Sequence, residues 1–188
     1  GTVLRAGDPV VTYVARNLEP YRGFHSFMRA LERIQKRDPR VQALIVGGDD
    51  TSYGSKAKSA DGRTITWRER MLGEVAVDPA RTHFLGRVPY ADYVRVLQVS
   101  AAHVYLTYPF VLSWSMLEAM ACGAFVVGSD TAPVREVITD GKNGRLVGFF
   151  EPEAIAEAVI DAVQRRHLLA RAEARRLVGE DYARSTGI

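Results

Sequence analysis

The sequence predicts an α/β protein in which helices cover both faces of a parallel sheet. Short apolar, β-rich segments alternate along the chain with segments that have the helical spacing of apolar residues. The strand segments are apolar at successive positions, which is typical of strands buried on both faces. Polar and glycine-rich positions directly follow most of these strands, and ligands bind at the carboxyl ends of strands in such sheets. The 188 residues, 47% of them apolar, suffice for one domain.

Each element follows from its local pattern. The first helix is predicted because Phe24 and Phe27 begin an apolar helical face, and Asp38 before a proline ends it. The polar stretch 51–63 shows neither the helical nor the strand period of apolar residues and is predicted as a loop. A helix is predicted to begin at Pro89, because proline fits the first turn of a helix. The predicted strands are 10–15, 41–46, 83–86, 102–106, 125–128 and 146–147. The predicted helices are 23–37, 67–75, 89–99, 115–121, 133–138, 151–165 and 168–182.

Composition and charge argue against several classes of function. The net charge is only +3, and the 21 arginines are scattered without the interleaved aromatic residues of a nucleic-acid surface, so no nucleic-acid partner is expected. The four histidines are isolated, so no metal site is predicted. No apolar run could span a bilayer, no signal peptide is recognisable, and the lone Cys122 leaves no internal disulfide. We therefore expect a cytoplasmic protein. The C-terminal segment is rich in arginine, which is most often typical of a solvated helix face. The alternative is a peripheral contact with anionic lipid at the inner face of the membrane.

Arginines and glycines after the first two strands form the first candidate site. Arg16 and Arg22 lie on one loop, and two guanidinium groups there can clamp a diphosphate and stabilise charge on it as a bond breaks. The alternative is two solvent-exposed arginines, one of them paired with Glu19. Gly47 and Gly48 let the backbone approach a ligand closely, or they form a plain turn. They do not belong to a G-x-G-x-x-G pattern, so a nicotinamide or flavin cofactor is not supported.

A helix N-terminus after the fourth strand forms the second candidate site. The segment 110–115 leads into the predicted helix, whose free N–H groups and dipole favour a phosphate or a sugar hydroxyl. Glu118, one turn further in, could accept two hydrogen bonds from a ribose diol. The alternative is structural, because Ser115 and Glu118 have the spacing of a capping box, in which the glutamate bonds the first amide of the helix. On spacing alone, the capping interpretation is slightly favoured.

Several motifs in a fixed order resemble one family of enzymes. The most specific is LEAMACGAFVVGSD at 117–130, and the others lie at 14–16, 22–23, 43–49, 84–88, 133–137 and 140–144. From about Val10 to Val163 the chain resembles the C-terminal domain of a GT-B glycosyltransferase of the large retaining family 4 (glycosyl transferases group 1). The resemblance implies a Rossmann-like three-layer α/β/α domain with a parallel sheet, one half of a GT-B fold. Its core would cover about 10–165, and a C-terminal helix would lie within 166–188.

The resemblance also implies roles for individual residues. Arg16 and Arg22 match the basic pair that holds the donor diphosphate, although the second position is usually lysine. Glu118 matches the second glutamate of the family's E-x7-E motif, which binds the nucleotide ribose, and this favours the ribose interpretation over the capping one. The loop that lines the base would include Arg87 and Val88. The backbone of Gly47 and Gly48 would approach the nucleotide.

Two departures from the family pattern bear on function. The first glutamate of E-x7-E, which lies by the donor sugar, is replaced by Phe110, so the backbone amides of Val111, Leu112 and Ser113 would have to hold the sugar hydroxyls. The second departure is length, because this sequence does not contain the N-terminal GT-B domain that supplies most of the acceptor site in the family, and we expect it to be an isolated donor-binding half. We therefore expect the isolated domain to be inactive without its N-terminal half.

The resulting hypothesis is the donor domain of a retaining hexosyltransferase. It would bind a UDP-, GDP- or ADP-sugar without any cofactor and transfer the sugar to an acceptor lipid, glycan or protein. The alternative is a non-catalytic nucleotide-sugar-binding or interaction module, motivated by Phe110 and the absent half. A relative such as a sugar-nucleotide epimerase is a weaker alternative, because the crevice lacks the acidic and histidine residues that such enzymes usually need.

Overall fold

A six-stranded parallel sheet organises the part of the protein that the computed structural model describes, residues 3–108 and 112–165. In chain order the strands are β1 (Val10–Asn17), β2 (Gln42–Gly48), β3 (Ala57–Lys58), β4 (Thr64–Ile65), β5 (Thr82–Gly86), β6 (Ala102–Tyr105), β7 (Phe125–Ser129) and β8 (Arg145–Val147). The helices are α1 (Phe24–Arg37), α2 (Trp67–Leu72), α3 (Tyr90–Val99), α4 (Trp114–Ala121), α5 (Ala132–Arg135) and α6 (Pro152–Arg165), with a 3₁₀ turn at Pro20–Arg22. β3 and β4 form a separate antiparallel hairpin.

The order of the strands places a crevice at the end of β1. The sheet runs β5-β2-β1-β6-β7-β8, so the chain proceeds from β1 to one side and later returns to its other side at β6. Val11 of β1 pairs with Ala43 of β2 and with Ala102 of β6, all in parallel. In open α/β sheets a ligand crevice forms at the carboxyl ends of the strands where the order reverses. The ends of β1, β2 and β6 are therefore the expected walls of a site.

Helices cover both faces of the sheet with their apolar sides. On one face α1 and α6 pack together over the central strands, and Phe27 of α1 stacks on Tyr13 of β1 with ring centroids 4.8 Å apart. On the other face Leu97 of α3 and Met116 and Met120 of α4 belong to a second buried cluster. Truncating a buried aromatic such as Phe27 to alanine typically costs about 3–5 kcal/mol of stability. This packing gives the strand ends a rigid support.

The structure confirms the predicted fold class and corrects several boundaries. β1 continues to Asn17 past an irregularity in register, so Arg16 lies within the end of the strand and not after it. The segment 51–63 was predicted as a loop, but it contains β3, which pairs with β4 in an antiparallel hairpin. α5 is only four residues long and ends at Arg135. The helix predicted over 168–182 lies outside the described residues.

No helix in the described part of the chain is both long and apolar enough to cross a membrane.

Candidate functional site

Two adjoining cavities lie at the carboxyl edge of the sheet. The first, of about 260 Å³, is lined by Ala15, Arg16, Val46, Gly47, Arg87, Val88 and Tyr93. The second, of about 370 Å³, is lined by Arg16, Asn17, Asp50, Thr51, Ser52, Tyr53 and Arg87. Arg16 and Arg87 belong to both, so the two cavities form one cleft with cationic side chains at their shared boundary. Parallel strands end at one edge of the sheet, which is why residues from the ends of β1, β2 and β5 meet here.

A larger cavity lies elsewhere, between β8 and α6. It measures about 560 Å³ and is lined by four carboxylates, those of Asp130, Glu151, Glu157 and Asp161, with Arg145 as its basic residue. Carboxylates repel a phosphate. Size alone therefore does not identify the site of an anionic ligand, and the cleft at the strand ends fits one better.

Arg22 borders the second cavity through Tyr53. The Arg22 guanidinium carbon lies 5.3 Å from the centroid of the Tyr53 ring, at cation–π distance. The Arg22 carbonyl accepts a 2.7 Å hydrogen bond from the buried Tyr13 hydroxyl. Gly23 follows with a φ of 73°, and a Cβ there would come within 2.3 Å of the Leu106 Cβ. The backbone that carries Arg22 is therefore fixed, and its guanidinium lies over Tyr53, which lines the second cavity together with Arg16.

Glu19 holds the part of the second cavity's lining that Ser52 and Tyr53 form. It is only 1% exposed, and its Oε2 accepts hydrogen bonds from the backbone N–H groups of Ser52 (3.0 Å), Tyr53 (3.1 Å) and Gly54 (3.4 Å). The sequence-based alternative gave Glu19 the role of a surface partner for an arginine. Its burial and these three bonds show a structural role in holding the 52–54 loop.

Gly47 and Gly48, predicted to follow the second strand, are the last two residues of β2, and side chains there would collide with the walls of the cleft. A Cβ at Gly47 would lie 2.8 Å from the Ala15 carbonyl oxygen, and one at Gly48 would lie 2.8 Å from the Arg87 Nε. The Arg87 Nη2 donates a 2.9 Å hydrogen bond to the Oδ1 of Asn17. Close approach of Arg87 to the backbone of β2 therefore needs glycine at position 48.

Glu118 is held by two tyrosines of α3. The Tyr93 hydroxyl donates to Glu118 Oε2 at 2.6 Å, and the Tyr90 hydroxyl donates to Oε1 at 3.2 Å. Burial, followed by the hydrogen bond to Glu118, raises the pKa of Tyr93, and the charge of Glu118 raises the pKa of Tyr90. Since Tyr93 also lines the first cavity, it connects Glu118 to the cleft.

The capping interpretation of Glu118 is wrong. α4 begins at Trp114 with Ser113 as its N-cap, so Met116 occupies the third helical position and Glu118 lies two residues beyond it. The N-cap side chain makes no capping hydrogen bond, and the Glu118 carboxylate bonds the tyrosines instead. Glu118 is therefore available for a role other than closing its own helix.

The segment 110–115, the second candidate site, is only partly described. Phe110 and Val111 lie outside the described residues. Leu112 is half-buried against the apolar cluster under α4. The Ser113 N–H donates a 2.9 Å hydrogen bond to the Tyr105 hydroxyl, so this amide already has a partner within the protein, contrary to the expectation that it is open to a ligand.

Three residues that line the cleft were not predicted, Asn17, Tyr53 and Tyr93, and neither was Tyr90, which bonds Glu118. Each has its partner far along the chain, and Tyr93 and Glu118 are 25 positions apart. Within α3, Tyr90 and Tyr93 share one face at a spacing of three, which is the only local sign that they act together. Among residues 3–108 and 112–165, no group of three or more His, Cys, Asp or Glu side chains could hold a metal ion.

The fold and the cleft define a Rossmann-like domain with cationic residues at the carboxyl edge of its sheet. The chain belongs to the family Glycosyl transferases group 1, whose model matches residues 8–165. It is 30% identical over 156 residues to a phosphatidyl-myo-inositol mannosyltransferase of Mycobacterium tuberculosis, covering 81% of this chain and 36% of that protein. It is 32% identical over 159 residues to the enzyme of that name from Mycolicibacterium smegmatis, covering 82% and 36%. The chain thus spans about a third of the length of these relatives.

Solved structures share the fold at lower identity. HepE of Anabaena, solved in complex with UDP and glucose, superposes with a TM-score of 0.74 at 21% identity, over 93% of this chain and 44% of that one. The C-terminal domain of LpcC, a glycosyl transferase group 1 family protein of Francisella tularensis, gives a TM-score of 0.74 at 17% identity. That match covers 92% of this chain and 86% of the other. The GT-B type of Rossmann-like domain is therefore the fold of this protein.

Proposed function

We propose that this chain is the donor-binding domain of a retaining glycosyltransferase and binds a nucleoside-diphosphate sugar in the cleft at the ends of β1, β2 and β5. The observation that carries the proposal is the shared lining of the two cavities. Arg16 and Arg87 border both cavities, and Tyr93 links the first of them to Glu118. The cleft thus offers cations for a diphosphate, and the carboxylate for sugar hydroxyls is bonded to Tyr93, which lines the cleft.

The parts of the ligand are assigned by chemistry. The diphosphate lies between Arg16 and Arg22, because guanidinium groups bind phosphate oxygens bidentately. The ribose lies at Glu118, whose carboxylate accepts hydrogen bonds from vicinal hydroxyls. The base lies in the first cavity against Val88 and the backbone of Gly47, with Gly48 leaving space for Arg87 above β2.

The transfer step follows from this placement. The bond between the sugar's anomeric carbon and the β-phosphate oxygen breaks, and both electrons leave with the diphosphate. Arg16 and Arg22 stabilise the negative charge that develops on that leaving group. An acceptor hydroxyl bonds to the same carbon on the same face, and its proton passes to a phosphate oxygen of the departing diphosphate. No base from this domain is required.

The comparisons support a nucleotide-sugar donor without choosing one. The relatives named above are mannosyltransferases, and a structural neighbour holds UDP and glucose. UDP-, GDP- and ADP-sugars should therefore all be tested as donors. Since the chain spans about a third of its relatives, we propose that a further GT-B domain supplies the site of a lipid, glycan or protein acceptor. A cytoplasmic location belongs to the same proposal.

A titration tests the proposal. UDP-, GDP- and ADP-sugars are titrated into the full 188-residue chain and into Arg16→Gln, and binding heats are measured. At least one donor binds the unmodified chain, and Arg16→Gln weakens it roughly tenfold to hundredfold through loss of a charged hydrogen bond to phosphate. The control is Arg63→Gln, an exposed arginine beside Asp61 that lines neither cavity. Absence of binding at millimolar concentrations of all three donors would contradict the proposal.

A second candidate function is a non-catalytic nucleotide-sugar-binding module. It is favoured by Phe110, which stands where the family has the carboxylate beside the donor sugar. This candidate predicts donor binding without transfer even when an N-terminal GT-B domain is restored. Transfer measured in such a restored protein, and its change in Phe110→Glu, distinguishes the two.

A further inference from the structure

We propose that Tyr93 is a positioning residue that sets the orientation of the Glu118 carboxylate, and that a ribose hydroxyl replaces the Tyr90 hydroxyl at the other carboxylate oxygen. The inference rests on the proposed function, since it specifies how that site recognises the nucleotide's sugar. Neither tyrosine belongs to the motifs from which the sequence suggested a function.

The two tyrosines hold different oxygens and are held differently themselves. Tyr93 donates to Oε2 at 2.6 Å and packs against the apolar cluster that contains Leu97 and Met116. Tyr90 donates to Oε1 at 3.2 Å and is 67% exposed. A short bond from a packed donor keeps its geometry, whereas a long bond from an exposed donor exchanges readily with another hydroxyl.

The spacing of the tyrosines makes them a pair. They lie three positions apart on α3, and their ring centroids are 5.8 Å apart, so both hydroxyls reach one carboxylate. Both pKa values lie above the ordinary tyrosine value, so both hydroxyls keep their protons at neutral pH and act as donors. A carboxylate accepts about four hydrogen bonds, which leaves capacity for a ribose diol while Tyr93 stays bound.

The geometry also explains why Tyr93 is the member that faces the ligand. Its ring lines the first cavity with Gly47 and Val88, so a base placed there contacts the ring while its ribose reaches Glu118. The same side chain thus borders the base and fixes the acceptor of the sugar hydroxyls. Loss of the Tyr93 hydroxyl should therefore weaken recognition of the ribose without altering the phosphate contacts.

The test compares nucleotides that differ only in the ribose. UDP, GDP and ADP, each with its 2′,3′-dideoxy counterpart, are titrated into the full chain and into Tyr93→Phe and Tyr90→Phe. The unmodified chain prefers the ribonucleotide, and Tyr93→Phe reduces that preference roughly fivefold to tenfold. Tyr90→Phe leaves the affinity unchanged or raises it up to about threefold, because the ligand no longer displaces a hydroxyl. Tyr108→Phe, whose ring packs on Phe149, is the matched control and changes neither quantity.

A double-mutant cycle separates positioning from a general effect on the fold. In a Glu118→Gln background, Tyr93→Phe causes no further loss of ribose preference if it acts through Glu118. The inference is overturned if Tyr93→Phe lowers the ribose preference equally in both backgrounds. It is also overturned if Tyr93→Phe leaves that preference intact, or if Tyr90→Phe lowers it as much as Tyr93→Phe does. In these cases diphosphate binding persists and the proposed function stands. If none of the diphosphates binds, the proposed function fails and the inference fails with it.

Discussion

Replacing Glu19 by alanine tests whether one buried carboxylate holds the wall of the cleft. Glu19 is almost fully buried, and its Oε2 accepts two well-formed hydrogen bonds, from Ser52 at 3.0 Å and Tyr53 at 3.1 Å. A hydrogen bond to a charged group contributes about 1.5 kcal/mol at the lower end of its range, so two give about 3 kcal/mol. The third bond, from Gly54 at 3.4 Å, adds little. We expect Glu19→Ala to lower the free energy of unfolding by about 3 kcal/mol.

The assay is urea unfolding followed by circular dichroism, with the slope checked for two-state behaviour. Glu19→Gln keeps the volume and one oxygen acceptor but not the charge, so its loss should be about half as large. Glu136→Ala, at an exposed position, should change stability by less than about 0.5 kcal/mol. A Glu19→Ala variant as stable as Glu136→Ala would refute the claim that this carboxylate holds the loop.

Three further predictions concern backbone contacts and pH. Gly23→Ala should destabilise the protein by more than 2 kcal/mol, because Gly23 has a φ of 73° and its new Cβ would lie 2.3 Å from the Leu106 Cβ. Gly48→Ala should weaken nucleotide binding more than it weakens the fold, since the methyl group displaces the flexible Arg87 side chain. His103 is fully buried, and burial lowers its pKa to about 4, below its unfolded value near 6.5. Between pH 6.5 and pH 4 the imidazole of His103 is therefore protonated in the unfolded chain but neutral in the folded one. The free energy of unfolding should fall by up to about 2 kcal/mol from pH 6.5 to pH 5.

Each of these has a control and an opposing outcome. Gly73→Ala places a methyl group at ordinary contact distances, so thermal unfolding should separate it clearly from Gly23→Ala. Equal melting temperatures would contradict the steric argument. For Gly48→Ala, calorimetric titration and unfolding are measured on the same sample, and unchanged affinity would contradict the role of Arg87. For pH, His103→Gln should reduce the slope of stability against pH between pH 5 and 6.5. Part of the slope should remain, because burial also lowers the pKa of His25 to about 4. An unchanged slope would count against His103.

The sheet could be predicted because burial on both faces leaves a strong apolar signal in each strand. The meeting of Arg16, Gly47 and Arg87 in one cavity also followed from sequence, since the carboxyl ends of parallel strands share an edge. That argument needs only the order of elements along the chain. The hairpin of β3 and β4 was not predicted because each of its strands is only two residues long, which is too short to show a period.

The partners of the site residues could not be predicted, because they depend on tertiary contacts. Glu19 looked like a surface residue until the 52–54 loop was placed over it. Glu118 had the spacing of a cap, and only the start of α4 at Trp114 and the position of Tyr93 on α3 decided against that interpretation. Local patterns thus identified which side chains gather at the cleft, and packing determined what each of them contacts.

The proposed donor site is best tested by a crystal structure of the chain with the nucleoside diphosphate that binds most tightly. We expect electron density for the diphosphate between Arg16 and Arg22, with both ribose hydroxyls within hydrogen-bond distance of Glu118. We also expect the Tyr93 hydroxyl to remain on Glu118 Oε2. A nucleotide bound instead between β8 and α6, or one in the cleft with its ribose turned away from Glu118, would contradict the proposed donor site.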